Sequence, residues 1–339
     1  MMTADRVDDR DTWDSFIDAS PSGLLFHKWD YLHLTAKHTG STLLPYAVYK
    51  GDELVCLFPL FSRRIHGINA VFSPPPLTVI PHLGCVMDGN FERLKQSKKE
   101  SVLHLVAEDI RGVLADLSPN YLSIAFVPEF NDIRHYLWDH CDARIRYTYT
   151  INLERPLSEI RNDLHYKLRN KLKKEEKAGL QLERTNDIST LHRLLADWYR
   201  DPSLDIPPIK REYLKDIVRA YPGRIGVYHL YDAGGDLAGV VATQEYKRFL
   251  LWMGTPRLKS THAGNEYLQW LLIRRAKAEG YRTFENMGAN NPDLAFFKSR
   301  FNPDLTTYFE IEKMDGLGMV SRWAYLTLAK RLMMAAGRV

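Results

Sequence analysis

The sequence predicts an α/β protein with mixed sheets, formed by tandem duplication of one unit of about 150 residues. The same order of signals occurs twice: two β-rich runs joined by a tight turn, a helix, a buried strand, a short helix and a closing strand. Turn residues separate the paired runs in both places, Lys50-Gly51-Asp52-Glu53 in the first half and Ala233-Gly234-Gly235-Asp236 in the second. Tyr121, Asn131 and Ile151 also lie 160 positions before Tyr281, Asn291 and Ile311. The expected division is residues 1–153, residues 154–315 and a C-terminal amphipathic helix over 316–339.

In the first half, Trp13, Phe16 and Ile17, then Trp29, Leu32 and Ala36, have helical spacing on either side of the turn from Pro21 to Gly23. Residues 44–49 and 54–61 read as an antiparallel hairpin. Pro74, Pro75 and Pro76 open an irregular stretch, because proline cannot donate to a sheet ladder. A helix over 99–117, a strand over 121–127, a helical segment over 132–141 and a strand over 147–153 complete this half. The second half opens with a charged helix over 157–178, which Gly179 ends in the C′ position. Strands are expected at 225–232, 237–246 and 249–253. Tyr267, Leu268, Leu271, Leu272 and Ala276 form one stripe of a helix over 263–279, with Arg274, Arg275 and Lys277 toward its C-terminal end before Gly280. A strand at 283–287, a short helix at 294–300 and a strand at 307–311 follow.

Apolar residues make up 45% and charged residues 26% of the chain, an average globular balance. No run approaches the roughly 18 uncharged apolar residues of a membrane span. The first eleven residues are polar and acidic, unlike a secretory signal, so a cytoplasmic protein is expected. Cys56, Cys85 and Cys141 are far apart and odd in number, which fits core thiols rather than a disulfide framework or a zinc site, and no metal is expected. A net charge of +4 is too small for a dedicated nucleic-acid binder. The zincin, nucleophile-elbow, P-loop and Rossmann patterns are missing, which removes support for those chemistries.

Three stretches then carry a resemblance. They are Ser20-Pro-Ser-Gly-Leu-Leu-Phe26 leading to Trp29, Leu168-Arg169-Asn170-Lys171 in the basic helix that ends at Gly179, and Phe284-Glu-Asn-Met-Gly288 followed by Phe297-Lys298 and Phe301. In this order they resemble the FemAB-like branch of the GNAT acyltransferase superfamily over nearly the whole chain. The resemblance implies two GNAT folds in tandem, acyl or aminoacyl transfer from acyl-CoA or aminoacyl-tRNA, and a substrate contact at Arg169. Two departures stand out. The R/Q-x-x-G-x-G/A turn that holds the acetyl-CoA pyrophosphate in ordinary GNAT enzymes is replaced by Arg257-Leu-Lys-Ser-Thr-His-Ala-Gly264, without the tight glycine spacing. Phe301-Asn302 stands where the family has an aromatic followed by Gly, which a left-handed Asn302 could mimic.

Acyl transfer to an amine needs a held donor, a neutral nucleophile, and positive or N–H groups facing the developing oxyanion. Lys298 is the candidate for the last role, its charge poorly screened beside Phe296 and Phe297, and Phe297 is a substrate-binding candidate. Glu285 could accept the amine proton, or pair with Arg282, or face solvent. Arg257, Lys259 and His262 precede a helix start at Gly264 and Asn265, where free N–H groups and the helix dipole favour a donor phosphate. The basic face from Lys167 to Lys177 could hold RNA or phosphates, or be a solvated helix paired with Glu175 and Glu176. The tail beyond Gly318 joins Trp323, Leu326, Met333 and Met334 to Arg322, Lys330, Arg331 and Arg338 with no acid, so it could lie on an anionic membrane or pack on the domain.

The expected function is acyl or aminoacyl transfer from a phosphate-bearing donor to an amine, with no cofactor held permanently. The acceptor is a small molecule or a cell-envelope precursor, with tRNA as a partner if it is the donor. Two alternatives stay open: a binding protein that kept the fold without catalysis, in line with the missing glycine turn, and an RNA-binding accessory module built on the basic helix.

Overall fold

Gly51 and Gly235 take the positive φ angles, 63° and 85°, that their tight turns require. Each turn closes an antiparallel hairpin in the middle of one unit. The structure, a computed structural model, describes residues 2–65, 67–199, 209–254, 258 and 260–324. By contacts the chain divides into residues 1–146 with 307–338, and residues 147–306.

The first unit begins with β1 (Met2–Arg6), α1 (Arg10–Ala19), α2 (Trp29–Thr39), β2 (Thr42–Lys50), β3 (Glu53–Ile65), β4 (Ile68–Ser73) and the short β5 (Val86–Met87). It continues with α3 (Gln96–Leu117), β6 (Tyr121–Ala125), α4 (Arg134–Trp138) and the start of β7 (Asp142–Asn152). The second unit holds α5 (Leu157–Asp163), α6 (Tyr166–Glu175), β8 (Gln181–Thr185), α7 (Ile188–Tyr199), α8 (Arg211–Ala220), β9 (Ile225–Tyr231), β10 (Leu237–Glu245) and β11 (Phe249–Gly254). Then come α9 (Gly264–Ala278), β12 (Thr283–Asn286) and α10 (Pro292–Ser299), before β13 (Asp304–Met314) and α11 (Gly316–Ala324) return to the first unit.

Strand order is β1-β2-β3-β4-β6-β13 in the first unit, with β5 on β3, and β8-β9-β10-β11-β12-β7 in the second. The plans match. In each, a run of antiparallel strands ends in one parallel pair, β4 with β6 and β11 with β12. A parallel pair needs a crossover, which α3 and α9 supply. The last strands are exchanged along the chain: β7 follows α4 but pairs antiparallel with β12, and β13 follows α10 but pairs antiparallel with β6. This explains why the contact division falls inside β7 and β13 rather than at their ends near 153 and 315.

The repeat lies in element order and pairing, and the 160-residue register is not kept. β7 and β13 have 11 residues each and start at Asp142 and Asp304, an offset of 162. The first hairpin strands start at Thr42 and Ile225, an offset of 183. Insertions and deletions in the loops therefore break a gapless alignment.

The core of the second unit explains its helix pattern. Leu164, Leu168 and Leu172 from the α5–α6 segment, and Leu268, Leu272, Ile273 and Ala276 from α9, pack on Tyr228, Leu230, Phe249, Leu251 and Phe284. Each such side chain contributes roughly 2 kcal/mol when removed from water. The expected single helix over 157–178 is broken after Asp163, where the chain extends at Leu164 and the His165 ring accepts the Lys167 N–H as the cap of α6. The leucine seam crosses the break intact. Gly179 and Gly280 follow the helices in the left-handed region as expected.

α9 sits hard against β10. A Cβ added to Gly264 would lie 1.8 Å from the Ala238 carbonyl oxygen, which is backbone and cannot step aside. Gly264→Ala is therefore expected to destabilise the second unit by about 3 kcal/mol, read from chemical denaturation.

Candidate functional site

Strand alternation on β12 separates two environments. Phe284 points into the apolar core, and Glu285, on the other face, is fully buried. One oxygen of Glu285 accepts the Thr148 hydroxyl at 3.0 Å, and the other accepts Arg248 Nη1 at 3.0 Å. Arg248 stands just before β11, whose parallel register with β12 places it beside this carboxylate. Arg282 pairs with Glu154 instead, at 2.8 Å from Nε. Neither solvent exposure nor an Arg282 pair describes Glu285; it is one half of a buried ion pair.

Lys298 comes from α10. Asn291 caps this helix by accepting the Asp293 and Leu294 N–H groups, and Pro292 follows the cap, where its missing N–H costs nothing. In the last turn Phe297 meets Phe301, with ring centroids 6.1 Å apart, while Phe296 stays 68% exposed. Lys298 is 8% exposed. Its ammonium donates to the carbonyl oxygens of Met287 and Gly288, the latter at 2.8 Å. Burial lowers its pKa from 10.5 to about 8, with the charge of Glu285 pulling the other way. An ammonium has three donors, so one N–H of Lys298 is left for a ligand. Asn302 adopts φ 51°, in the left-handed region.

Asn286, one residue before the first of those carbonyls, is 1% exposed, and neither end of its amide has a hydrogen-bond partner. A buried unpaired amide costs about 1–3 kcal/mol, which makes it a conspicuous place for a polar ligand group.

The helix start at Gly264 is arranged differently from the expectation. Glu175, at the end of α6 and 2% exposed, accepts the Ala263 N–H at 3.0 Å and meets His262 Nδ1 at 2.7 Å. Lys171 reaches Glu266 in the first turn of α9 at 2.6 Å. The N–H and dipole that were to hold a donor phosphate thus hold a carboxylate of the chain itself. Asn265 lies over Gly239 of β10. Arg257 and Lys259 fall outside the described residues. Arg169 is half-buried and donates to the Asn162 carbonyl.

α6 links these places. The His165 N–H donates to the Arg300 carbonyl at 2.9 Å just past α10, and Glu175 reaches α9 at the other end, about 15 Å away at 1.5 Å per residue. Lys298, Glu285 and Phe297 therefore gather around β12 and α10, while Gly264 and Asn265 lie one helix length off. The sequence reading passes over Arg248 and Thr148, takes Glu175 only as a partner for the helix lysines, and gives Asn286 no role. Only Arg248 has a usable signal, a cation in a tight turn beside a strand that carries a lone acid.

Residues 162–299 match the family model of the acetyltransferase (GNAT) domain. Solved structures extend the likeness to the whole chain: FemX at 12% identity and TM-score 0.68, covering 96% of this chain and 99% of its own. Residues 162–299 are thus similar in sequence to a GNAT domain, and the whole chain shares the fold of FemX. L-PGS from Bacillus licheniformis shares the fold at 12% identity and TM-score 0.52, covering 97% of this chain and 96% of that one. A tandem GNAT protein from the clavulanic acid biosynthesis pathway does so at 11% identity and TM-score 0.52, covering 92% and 98%. No curated protein sequence matches. Among the described residues no group of three His, Cys, Asp or Glu is placed to hold a metal ion, and no helix is long and apolar enough to cross a membrane.

Removing one partner of a buried pair leaves the other uncompensated. Glu285→Ala and Arg248→Ala should each cost about 3–5 kcal/mol, and Glu285→Leu with Arg248→Met should recover most of that loss. Denaturant unfolding of the four proteins checks it; additive losses in the double variant would contradict the pairing.

Proposed function

We propose that the second unit transfers an acyl or aminoacyl group to an amine, with Lys298 as the residue that handles charge at the reacting carbonyl. One observation carries this reading: a buried ammonium, fixed by two backbone carbonyls, with a single donor left over. As the neutral amine attacks, a C–N bond forms and the carbonyl oxygen gains negative charge, which the remaining N–H of Lys298 stabilises. The C–O or C–S bond of the donor then breaks. With a pKa near 8, Lys298 can give its proton to the departing oxygen or sulfur and regain one from the new ammonium. Asn286 and Phe297 would orient the acyl group, and Arg169 would contact substrate at the near end of α6.

Of the two donors, an aminoacyl-tRNA end fits better than acyl-CoA. A diphosphate lying on the start of α9 would meet the carboxylates of Glu175 and Glu266, and like charges repel. Cell-envelope precursors bearing an amine head the acceptors to be tried, followed by small amines. A second reading, a binding protein without catalysis, also draws on the occupied start of α9.

Both donors, offered with a panel of amine acceptors and followed by mass, test the proposal. Wild-type turnover should fall about tenfold per pH unit above pH 8, because the cation is present below that value and lost above it. Lys298→Met should lower turnover by about 100 to 1,000-fold while keeping a cooperative melt, and Lys298→Arg should restore part of it. Alanine is the poorer probe here, since it would also open a cavity in a buried site. A protein that binds one donor but transfers from neither would leave the binding reading standing.

A further inference from the structure

We propose that the cavity beside α4 in the first unit binds an uncharged, largely apolar molecule that carries a hydroxyl group. This does not rest on the acyl-transfer reading. α4 stops after little more than one turn, where His140 takes φ 59° and the Cys141 N–H returns to the Tyr136 carbonyl at 3.0 Å. So short a helix leaves a cavity of about 440 Å³ beside the second half of α3, the start of β6 and the end of β13. Leu114, Leu122 and Met314 supply apolar wall. The volume lies in the range, roughly 300–1,000 Å³, of pockets that take small organic ligands.

The charges around this cavity are matched within the fold. Arg111 Nε lies 3.1 Å and Lys313 Nζ 3.6 Å from the two oxygens of Asp139. Asp315 accepts the Gly318 N–H and the Asn120 amide, both at 2.8 Å. Two cations thus stand with two carboxylates, and no surplus charge is left to answer one on a ligand. The other ionisable groups of the wall are neutral. Burial pushes the Cys141 thiol up to about 11 and holds the Tyr136 hydroxyl well above its usual range. Burial also lowers the His135 imidazole below its ordinary value, and the nearby His104 acts in the same direction. An ion entering here would lose water and gain no partner, so the cavity selects an uncharged molecule.

One polar atom of the wall has no partner. His135 is 7% exposed, its Nε2 is buried, and no hydrogen bond reaches that nitrogen. The ring is held in place by the edge of Trp138 at 4.8 Å and by the His104 ring at 5.4 Å, so it has little freedom to turn toward water. Buried polar atoms are as a rule hydrogen-bonded, and this one is left for a ligand. In a neutral imidazole Nε2 is an N–H donor in one tautomer and a lone-pair acceptor in the other. A hydroxyl both donates and accepts, so it answers either tautomer, whereas a carbonyl answers only the first.

Calorimetric titration of the full-length protein at neutral pH with 1-naphthol, naphthalene and 1-naphthoate tests this. The three share one ring system and differ in carrying a hydroxyl, no polar group and a negative charge. 1-Naphthol should bind about tenfold more tightly than naphthalene, the usual contribution of one hydrogen bond, and 1-naphthoate should not bind measurably. His135→Phe keeps an aromatic ring against Trp138 and removes the nitrogen, and should bring 1-naphthol down to the level of naphthalene. Ala115→Phe, at an exposed position of the cavity rim, should weaken 1-naphthol several-fold, and stands in if the His135 variant does not melt cooperatively. Three results overturn the proposal: no binding of 1-naphthol, equal binding of 1-naphthol with either of the other two, or an undiminished 1-naphthol affinity in the folded variants.

Discussion

Three charges with almost no water around them set the terms for the second unit. Arg248 and Glu285 satisfy each other across neighbouring strands, and Lys298 rests on two backbone carbonyls nearby. Stripping water from ions is costly, so such a group persists only where every member has partners. That requirement holds the Arg248 turn against β12, fixes the loop after Asn286 around the ammonium, and ties α10 to the strand it follows. The same poor solvation brings Lys298 close to neutral pH, where a proton can be exchanged cheaply.

α6 takes a second structural burden. Its leucines fill the core, the backbone N–H of its cap His165 holds the Arg300 carbonyl after α10, and its side chains Glu175 and Lys171 reach Ala263, His262 and Glu266 around α9. A helix whose charged face reads as a loose electrostatic surface is in fact tied down at specific points. Specific pairing of Lys171 and Glu175 takes part of the charge away from any ligand.

The fold was legible where periodicity and turn chemistry agree, as in α9 with Gly280 and in the β9–β10 hairpin. β1 and β8 escaped because each ends its sheet with a polar strand, Met-Thr-Ala-Asp-Arg and Gln-Leu-Glu-Arg-Thr, and an edge strand needs no apolar alternation. β4 was hidden by its nearness to the proline run. At the site, the Phe297-Lys298 pair stood out and correctly suggested a poorly solvated cation. The partners of Glu285 did not, because Arg248 and Thr148 are separated from it by 37 and 137 positions and meet it only through strand register. Glu175 was out of reach for the same reason: a carboxylate on a basic helix looks like a neighbour for lysines, and only tertiary packing aims it at α9.

The exchange of β7 and β13 has a consequence for how the chain can be divided. A cut between β7 and α5 yields a front piece whose β6 edge lacks β13 and a rear piece whose β12 edge lacks β7, and each piece holds the strand the other is missing. Open edges of that kind invite pairing with whatever strand is at hand. The two halves are thus not modules that could be traded or expressed singly. Carrying both strands on one polypeptide supplies each open edge with its complement at a ratio of one to one.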